Sequence, residues 1–419
     1  MLKKLLITLL ISLFSSLNAY AVTDFVNVIN IAASEDYNTL ALWEAAMDNA
    51  GDITNANCKV FSHGGITGAM PDAGTVTGQT SGATATIIHT TTTQVLLDTI
   101  SGTFQSGEDV CDDSPTCANK VTISSAGDGA NIVAHVYNDD GDLTGQTTLD
   151  GLTTSATQHW EITSPSTERH TGIVNTGATI AATTMAALTN LDGSTIISWM
   201  EFDGAGTAST ISPFIVSNGN SINLYRNLLY NYTSCNSGAS CGVNPNSGNV
   251  SNNLFSNLGG ASEKAVESRG GTVVAANNTI FDIDTAFVET TGSITAYNNF
   301  IDDNAGDGDA FGSCGAGSNN STNDSTGDGD ASCSGGAVVD NEMDDDVVNT
   351  STDFHLLSTA SSVIDLATDL TTTANANIDI DNYDRDAGGV TWDIGFDEFI
   401  ASVTSTTIQA GTLQASTLN

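Results

Sequence analysis

Four short stretches decide the reading of this chain: Leu224-Tyr225-Arg226-Asn227-Leu228-Leu229, Val250-Ser251-Asn252-Asn253-Leu254-Phe255, Ala275-Ala276-Asn277-Asn278-Thr279-Ile280-Phe281 and Ala296-Tyr297-Asn298-Asn299-Phe300-Ile301. The shared asparagines fall at Asn227, Asn253, Asn278 and Asn299, so the pattern returns after 26, 25 and 21 residues. A period of this size marks a stacked, quasi-one-dimensional fold in which each unit contacts mainly its neighbours. The apolar residues around each asparagine are β-branched, aromatic or Leu and show no helical spacing. Each unit therefore reads as strand, polar turn, strand. Stacking would set each asparagine above the next, where side-chain amides bond to one another and to the turn backbone. The expected fold is all-β, a right-handed parallel β-helix.

Working outward, the N-terminus reads as a processing segment, residues 1–21. Lys3 and Lys4 precede an apolar run, Leu5 to Phe14, too short to span a bilayer, and Ala19-Tyr20-Ala21 has the form of a cleavage site. The mature chain is expected to be secreted or displayed at the cell surface, with no membrane insertion. Residues 22–63 hold a first strand and a helix whose apolar residues Leu40, Trp43 and Met47 share one face, with Asn38 or Thr39 as its cap. A solenoid end exposes unpaired backbone and core, and such a helix covers it. Residues 64–118 alternate Gly and Thr with apolar positions and read as an inserted antiparallel β module. Strand-turn periodicity then runs through 119–399, interrupted by a Gly/Asp-rich loop at 302–336, and residues 400–419 form a flexible tail.

The chain has 419 residues, 9 Lys+Arg against 49 Asp+Glu, and a formal net charge of −40. Such a balance repels nucleic acid and anionic membranes, and neither is an expected partner. Six cysteines flank small polar loops as Cys111/Cys117, Cys235/Cys241 and Cys314/Cys333, which an oxidising compartment would close as disulfides. Cys58 is left over and is expected to be a small buried residue. Asp379, Asp381, Asp384 and Asp386 alternate oxygen donors in a turn and are the candidate ligands for Ca²⁺.

The C-terminal stretches Asp353-Phe354-His355-Leu356, Ser362-Val363-Ile364-Asp365, Asp379-Ile380-Asp381-Asn382-Tyr383-Asp384-Arg385 and Trp392-Asp393-Ile394-Gly395-Phe396-Asp397-Glu398 resemble a known ending. The form D-F-x-L, S-x-x-I-D, D-I-D-x-x-x-R, D-I-G-x-x-E closes many secreted β-helix proteins of the pectate-lyase-like superfamily. The resemblance implies the fold and says little of activity. Here Asn382-Tyr383-Asp384 stands where that pattern has Gly-Asx-Pro. The run Pro165…Glu168-Arg169-His170 likewise resembles a P-x-x-E-R-H stretch of uncharacterised members.

For catalysis, a β-eliminating lyase needs a base and a cation at the uronate carboxylate. Arg226, Lys264 and Arg269 are the basic groups on the presumed rungs. A hydrolase needs paired carboxylates, for which Asp282, Asp284, Asp302 and Asp303 are available. No polygalacturonase set (N-T-D, D-D, G-H-G, R-I-K), no nucleophile elbow and no phosphate loop occurs. The expected role is a structural, adhesion or glycan-binding protein for a polysaccharide or cell-surface glycan, with Tyr225, Tyr230, Tyr232 and Tyr297 as exposed stacking candidates. The alternative is a polysaccharide lyase or glycoside hydrolase. A phage-derived virion part, suggested only by 64–112, conflicts with the leader.

Overall fold

The structure, a computed structural model, describes residues 21–31, 35–112, 116–182, 186–204, 213–232, 242–258, 263–302, 311–322, 338–339, 343–371, 373, 376–386 and 391–399. The leader (1–20), Cys235, Cys241, Cys333, most of the 302–336 loop and the 400–419 tail lie outside the described residues.

Three parallel sheets form a β-helix. The first has nine strands, from Val22–Ile29 and Gly129–Val136 through Trp160–Thr163, Ser194–Ser198, Ser221–Tyr225, Gly248–Ser251, Thr272–Ala276 and Ser293–Tyr297 to Ala316–Ser318. The second also has nine, including Thr179–Ala181, Glu201–Asp203, Leu228–Tyr230, Leu254–Ser256, Thr279–Phe281 and Phe300–Asp302, and the third has six. Registers keep like over like. Leu224 pairs Val250, which pairs Ala275, which pairs Ala296, all inside the coil. Leu229, Phe255, Ile280 and Ile301 do the same in the second sheet. Each apolar row thus buries its side chains against the rows above and below, the only way a coil this narrow can make a core.

The turn from first to second sheet takes two residues. Trp199, Arg226, Asn252, Asn277, Asn298 and Asn319 hold its first position, each at φ between 53° and 60°. This left-handed conformation costs most residues energy but is tolerated by Asn. The second position carries the amide ladder. Asn227, Asn253 and Asn278 each donate both their backbone N–H and Nδ2 to the Oδ1 of the next asparagine, at 2.9–3.1 Å, down to Asn299. Asn299 repeats the pattern onto Asn320, one rung beyond the four read from sequence. Each Nδ2 also donates to a first-sheet carbonyl, as Asn278 does to Val250 at 2.8 Å. Every amide is fully buried and its hydrogen-bonding capacity is used.

The N-terminal end is covered by helix α1 (Leu40–Met47), with Leu42 N donating to Thr39 Oγ1 at 3.2 Å. Trp43 is fully buried, donates Nε1 to Asn27 Oδ1 at 3.1 Å and meets Trp160 edge to face. The inserted module is a closed six-stranded barrel running from Lys59–Thr67 to Lys120–Ile123, longer at both ends than 64–118. Sequence reading clipped it because its flanking strands look like rungs. It has its own core around Phe61, Val76, Val95, Phe104 and Val121. Cys111 and Cys117 form a disulfide, Cys58 is free and buried, and Cys314 is disulfide-bonded.

Residues 353–399, read as the end of the coil, instead run back along its outside. They cover the outer face of the second sheet, where Leu228, Leu254, Phe281 and Phe300 pack against Phe354, Trp392, Ile394 and Phe396. The first-position turn residues bind this strap. Asn319 Nδ2 donates to Leu366 O, Asn298 Nδ2 to Thr368 O, Asn277 Nδ2 to Ala376 O, each at 2.8 Å, and Arg226 Nη1 to Ile378 O at 3.4 Å. Within the strap, fully buried Arg385 donates to Glu398 Oε2 and Asp393 O at 3.0 Å and to Gly395 O at 2.9 Å. Gly395 (φ 103°) must be glycine, since a Cβ there would sit 2.9 Å from Thr279 Oγ1 and 3.2 Å from Phe300 Cβ. The stacking tyrosines are corrected by packing, with Tyr230 in the strap's apolar cluster and Tyr232 in the coil core. Tyr225, Tyr230 and Tyr232 are buried, and only Tyr297 is partly exposed. Among the described residues no helix is long and apolar enough to cross a membrane.

Replacing Asn278 by Ala takes the side-chain partner from Asn253 N–H and the Asn278 Nδ2 donor from the Val250 carbonyl and Asn299 Oδ1, and leaves Asn253 Nδ2 with two of its three acceptors. Denaturant unfolding of N278A should show a loss of about 3 kcal/mol or more, since each orphaned buried group costs roughly 1–3 kcal/mol. An unchanged midpoint would remove the ladder as a stabilising device.

Candidate functional site

The widest departure from the two-residue turn lies between Thr163 and Thr179, where residues 164–178 loop out between first and second sheets. This loop walls a cleft of about 470 Å³ on the first sheet's outer face. Parallel pairing sets its floor. His135, Thr163, Ser198 and Tyr225 lie in one register row, with Glu161 and Ile196 in the next outward row. The Thr163 and Ser198 hydroxyls are 2.8 Å apart. The rim comes from the turn positions Trp199 and Arg226 and from Arg169 on the loop.

The two guanidiniums share one indole. Arg169 lies 4.7 Å and Arg226 5.0 Å from the Trp199 ring centroid, within cation–π range. Arg169 Nε donates to Ser164 O at 3.3 Å, which ties it to its own loop. His170, fully enclosed beneath, places Nε2 2.8 Å from the Arg226 carbonyl. A carbonyl only accepts, so Nε2 carries the proton. Burial pushes the ring down to about 3, and it stays neutral. His170 therefore positions the Arg226 turn and faces no ligand.

Electrostatically the cleft is unlike the rest of the chain. Burial, then the Arg169 charge, lowers Arg226 to about 10, still protonated at neutral pH. Burial, then Asp24, raises Glu161 to about 6, with Arg169 opposing. Burial lowers His135, which is neutral near pH 7. Two positive groups thus face one carboxylate in a molecule of formal charge −40. Such an arrangement can attract an anion to its two guanidiniums and offers a carboxyl raised to about 6.

The other sequence candidates do not assemble. Lys264 and Arg269 both pair with Glu267, at 3.8 and 3.0 Å. Asp302 is buried and accepts from Met343 N, and Asp303 lies outside the described residues. The four aspartates proposed for Ca²⁺ do not converge. Asp379 is buried with Oδ1 on the amides of Asp381 and Tyr383, Asp384 Oδ1 accepts from the Asp386 amide, and Asp381 faces His355. Their alternation is that of a self-capping turn, with carboxylates spent on neighbouring N–H groups.

Sequence reading singled out Arg169 and Arg226 separately and missed His135, Glu161 and Trp199. One signal was available. Extending the repeat one rung upstream aligns Trp199-Met200 with Arg226-Asn227, which stacks the indole beside the guanidinium. Comparison with protein-family models and with curated proteins finds no match.

Glu161 titrates at about 4.5 when unfolded and about 6 when folded. Its ionisation therefore opposes folding, an effect complete above pH 6 and absent below about 4.5. Glu161→Gln should melt higher than the parent at pH 8 and level with it at pH 4. The same difference at both values would contradict this environment.

Proposed function

We propose that the protein is an exported glycan-binding β-helix whose cleft takes an acidic saccharide unit, and that it belongs with the pectate-lyase-like proteins its ending resembles. The observation that carries the binding role is the pair Arg169 and Arg226 over Trp199 in an otherwise strongly anionic molecule. Guanidiniums recognise carboxylate or sulfate through forked hydrogen bonds, and the buried Trp199 indole holds the two guanidiniums side by side. The volume suits one or two rings of a chain that continues along the first sheet. The leader and the disulfide fit export.

A second reading is favoured by the row itself. His135 lines the cleft with Arg169, so a proton acceptor and a carboxylate neutraliser share it. These are the groups a β-eliminating lyase uses. Among the described residues lining the cleft Glu161 is the one acid, whereas hydrolysis uses a pair.

Binding of oligogalacturonate, alginate and sulfated oligosaccharides, with neutral xylan and cellulose fragments as controls, tests the proposal. Acidic ligands should bind, and Arg169→Gln should weaken them at least tenfold. Affinity should rise as pH falls from 8 to 5, because Glu161 loses its charge through about 6 while sugar carboxylates stay ionised; Glu161→Gln should flatten that dependence. Equal binding of neutral and acidic chains defeats the reading. Growth of ultraviolet absorbance from unsaturated ends during the same incubations would establish the lyase.

A further inference from the structure

On the strap, away from the cleft floor, His355, Asp381 and Asp397 each offer one ligand atom, and the three atoms lie within 4.8 Å of one another. Three separate pieces of backbone bring them there. His355 lies on the strand Asp353–Leu356, Asp381 in the turn after Ile380, and Asp397 in the ending. Backbone bonds fix the pieces together. Leu356 N donates to Asp397 Oδ2 at 2.8 Å, and Ile380 N to Phe396 O at 3.1 Å.

His355 is oriented by Asp353, whose Oδ1 lies 2.6 Å from Nδ1. An ionised carboxylate only accepts, so Nδ1 carries the proton there. Nε2 lies 3.2 Å from Asp381 Oδ1, an ion-pair contact when the ring is protonated, and a metal ion bound at Nε2 takes the place of that proton. A carboxylate behind the far ring nitrogen is the arrangement that sets the tautomer of metal-bound histidine.

Asp379 supplies an independent observation. It is fully buried, its Oδ1 is taken by two amides, and its Oδ2 has no hydrogen-bond partner. After Arg385, the charges acting on it are those of Asp397 and Asp381. Its Oδ2 thus stands without a donor beside two more carboxylates, with Arg385 as the nearby positive charge the chain itself supplies.

From this geometry we propose that His355, Asp381 and Asp397 bind one divalent transition-metal ion of the zinc or manganese class, with Asp353 and Asp379 behind them. Imidazole among the ligands selects against Ca²⁺, which takes oxygen donors only. The ion ties the strap's hairpin, turn and ending into one unit. Its location differs from that of the saccharide cleft, so either proposal can fail while the other stands.

The test uses the full chain, stripped with chelator and desalted, with no saccharide present. Zn²⁺, Mn²⁺ and Ca²⁺ are added singly and followed by calorimetry and thermal melting. Zn²⁺ or Mn²⁺ should bind one to one and raise the melting temperature, with Ca²⁺ at least tenfold weaker. Asp381→Asn, at an exposed position whose change spares the fold, and His355→Gln should each weaken the tight site at least tenfold. Asp384→Asn and Asp386→Asn should leave it unchanged. Absence of a saturable one-to-one site overturns the proposal, as does binding unaffected by Asp381→Asn or Ca²⁺ binding as tightly as Zn²⁺. In those cases the cluster is an ion pair of protonated His355 with its aspartates.

Discussion

The amide-to-amide bond between asparagines of successive rungs is the constraint on which the structure depends. It links neighbouring coils at a buried corner where the backbone has turned away from both sheets. Each asparagine accepts from the amide N–H and side chain of the one before and donates to the one after. The step between coils is thereby held to strand spacing, and the registers of the two flanking sheets cannot slip independently. A slip by one residue would turn Leu229, Phe255, Ile280 and Ile301 outward and leave five buried amides without partners.

The same two-residue turn does a second job. Its left-handed first residue points away from the core, and the side chain there meets whatever lies outside. Where that residue is asparagine it binds the strap's backbone. Further toward the N-terminus it is Arg226, which still reaches the strap, and then Trp199. The cleft therefore opens where strap-binding side chains give way to the indole and the guanidinium, and the 164–178 loop forms its wall. One device, repeated, borders both the covered face of the second sheet and the open cleft on the first.

Most of the architecture could be read from the asparagines, because a buried amide in a repeat has few roles. The ladder's last member, Asn320, escaped because Ser321-Thr322 lack the apolar residues that follow the others. The role of the first asparagine of each pair escaped because its partner is backbone some 50–120 residues away. The tyrosines looked exposed in an alternating pattern, yet Tyr230 gives its hydroxyl to buried Glu201 at 2.8 Å and Tyr232 packs on Phe214. The cleft was the least legible part. His135 and Arg226 come from rungs far apart in sequence and meet only through parallel registration, which no local pattern encodes.

The strap's direction of travel bears on the order in which the molecule can be completed. The chain is synthesised from the covering helix upward, yet residues 353–399, made after the coils, lie against the flank of the coils that carry Leu228, Leu254, Phe281 and Phe300. Until residues 343–399 emerge, Leu228, Leu254, Phe281 and Phe300 face water and their turn asparagines bond solvent. Without residues 343–399 the second sheet thus stays short of its final packing.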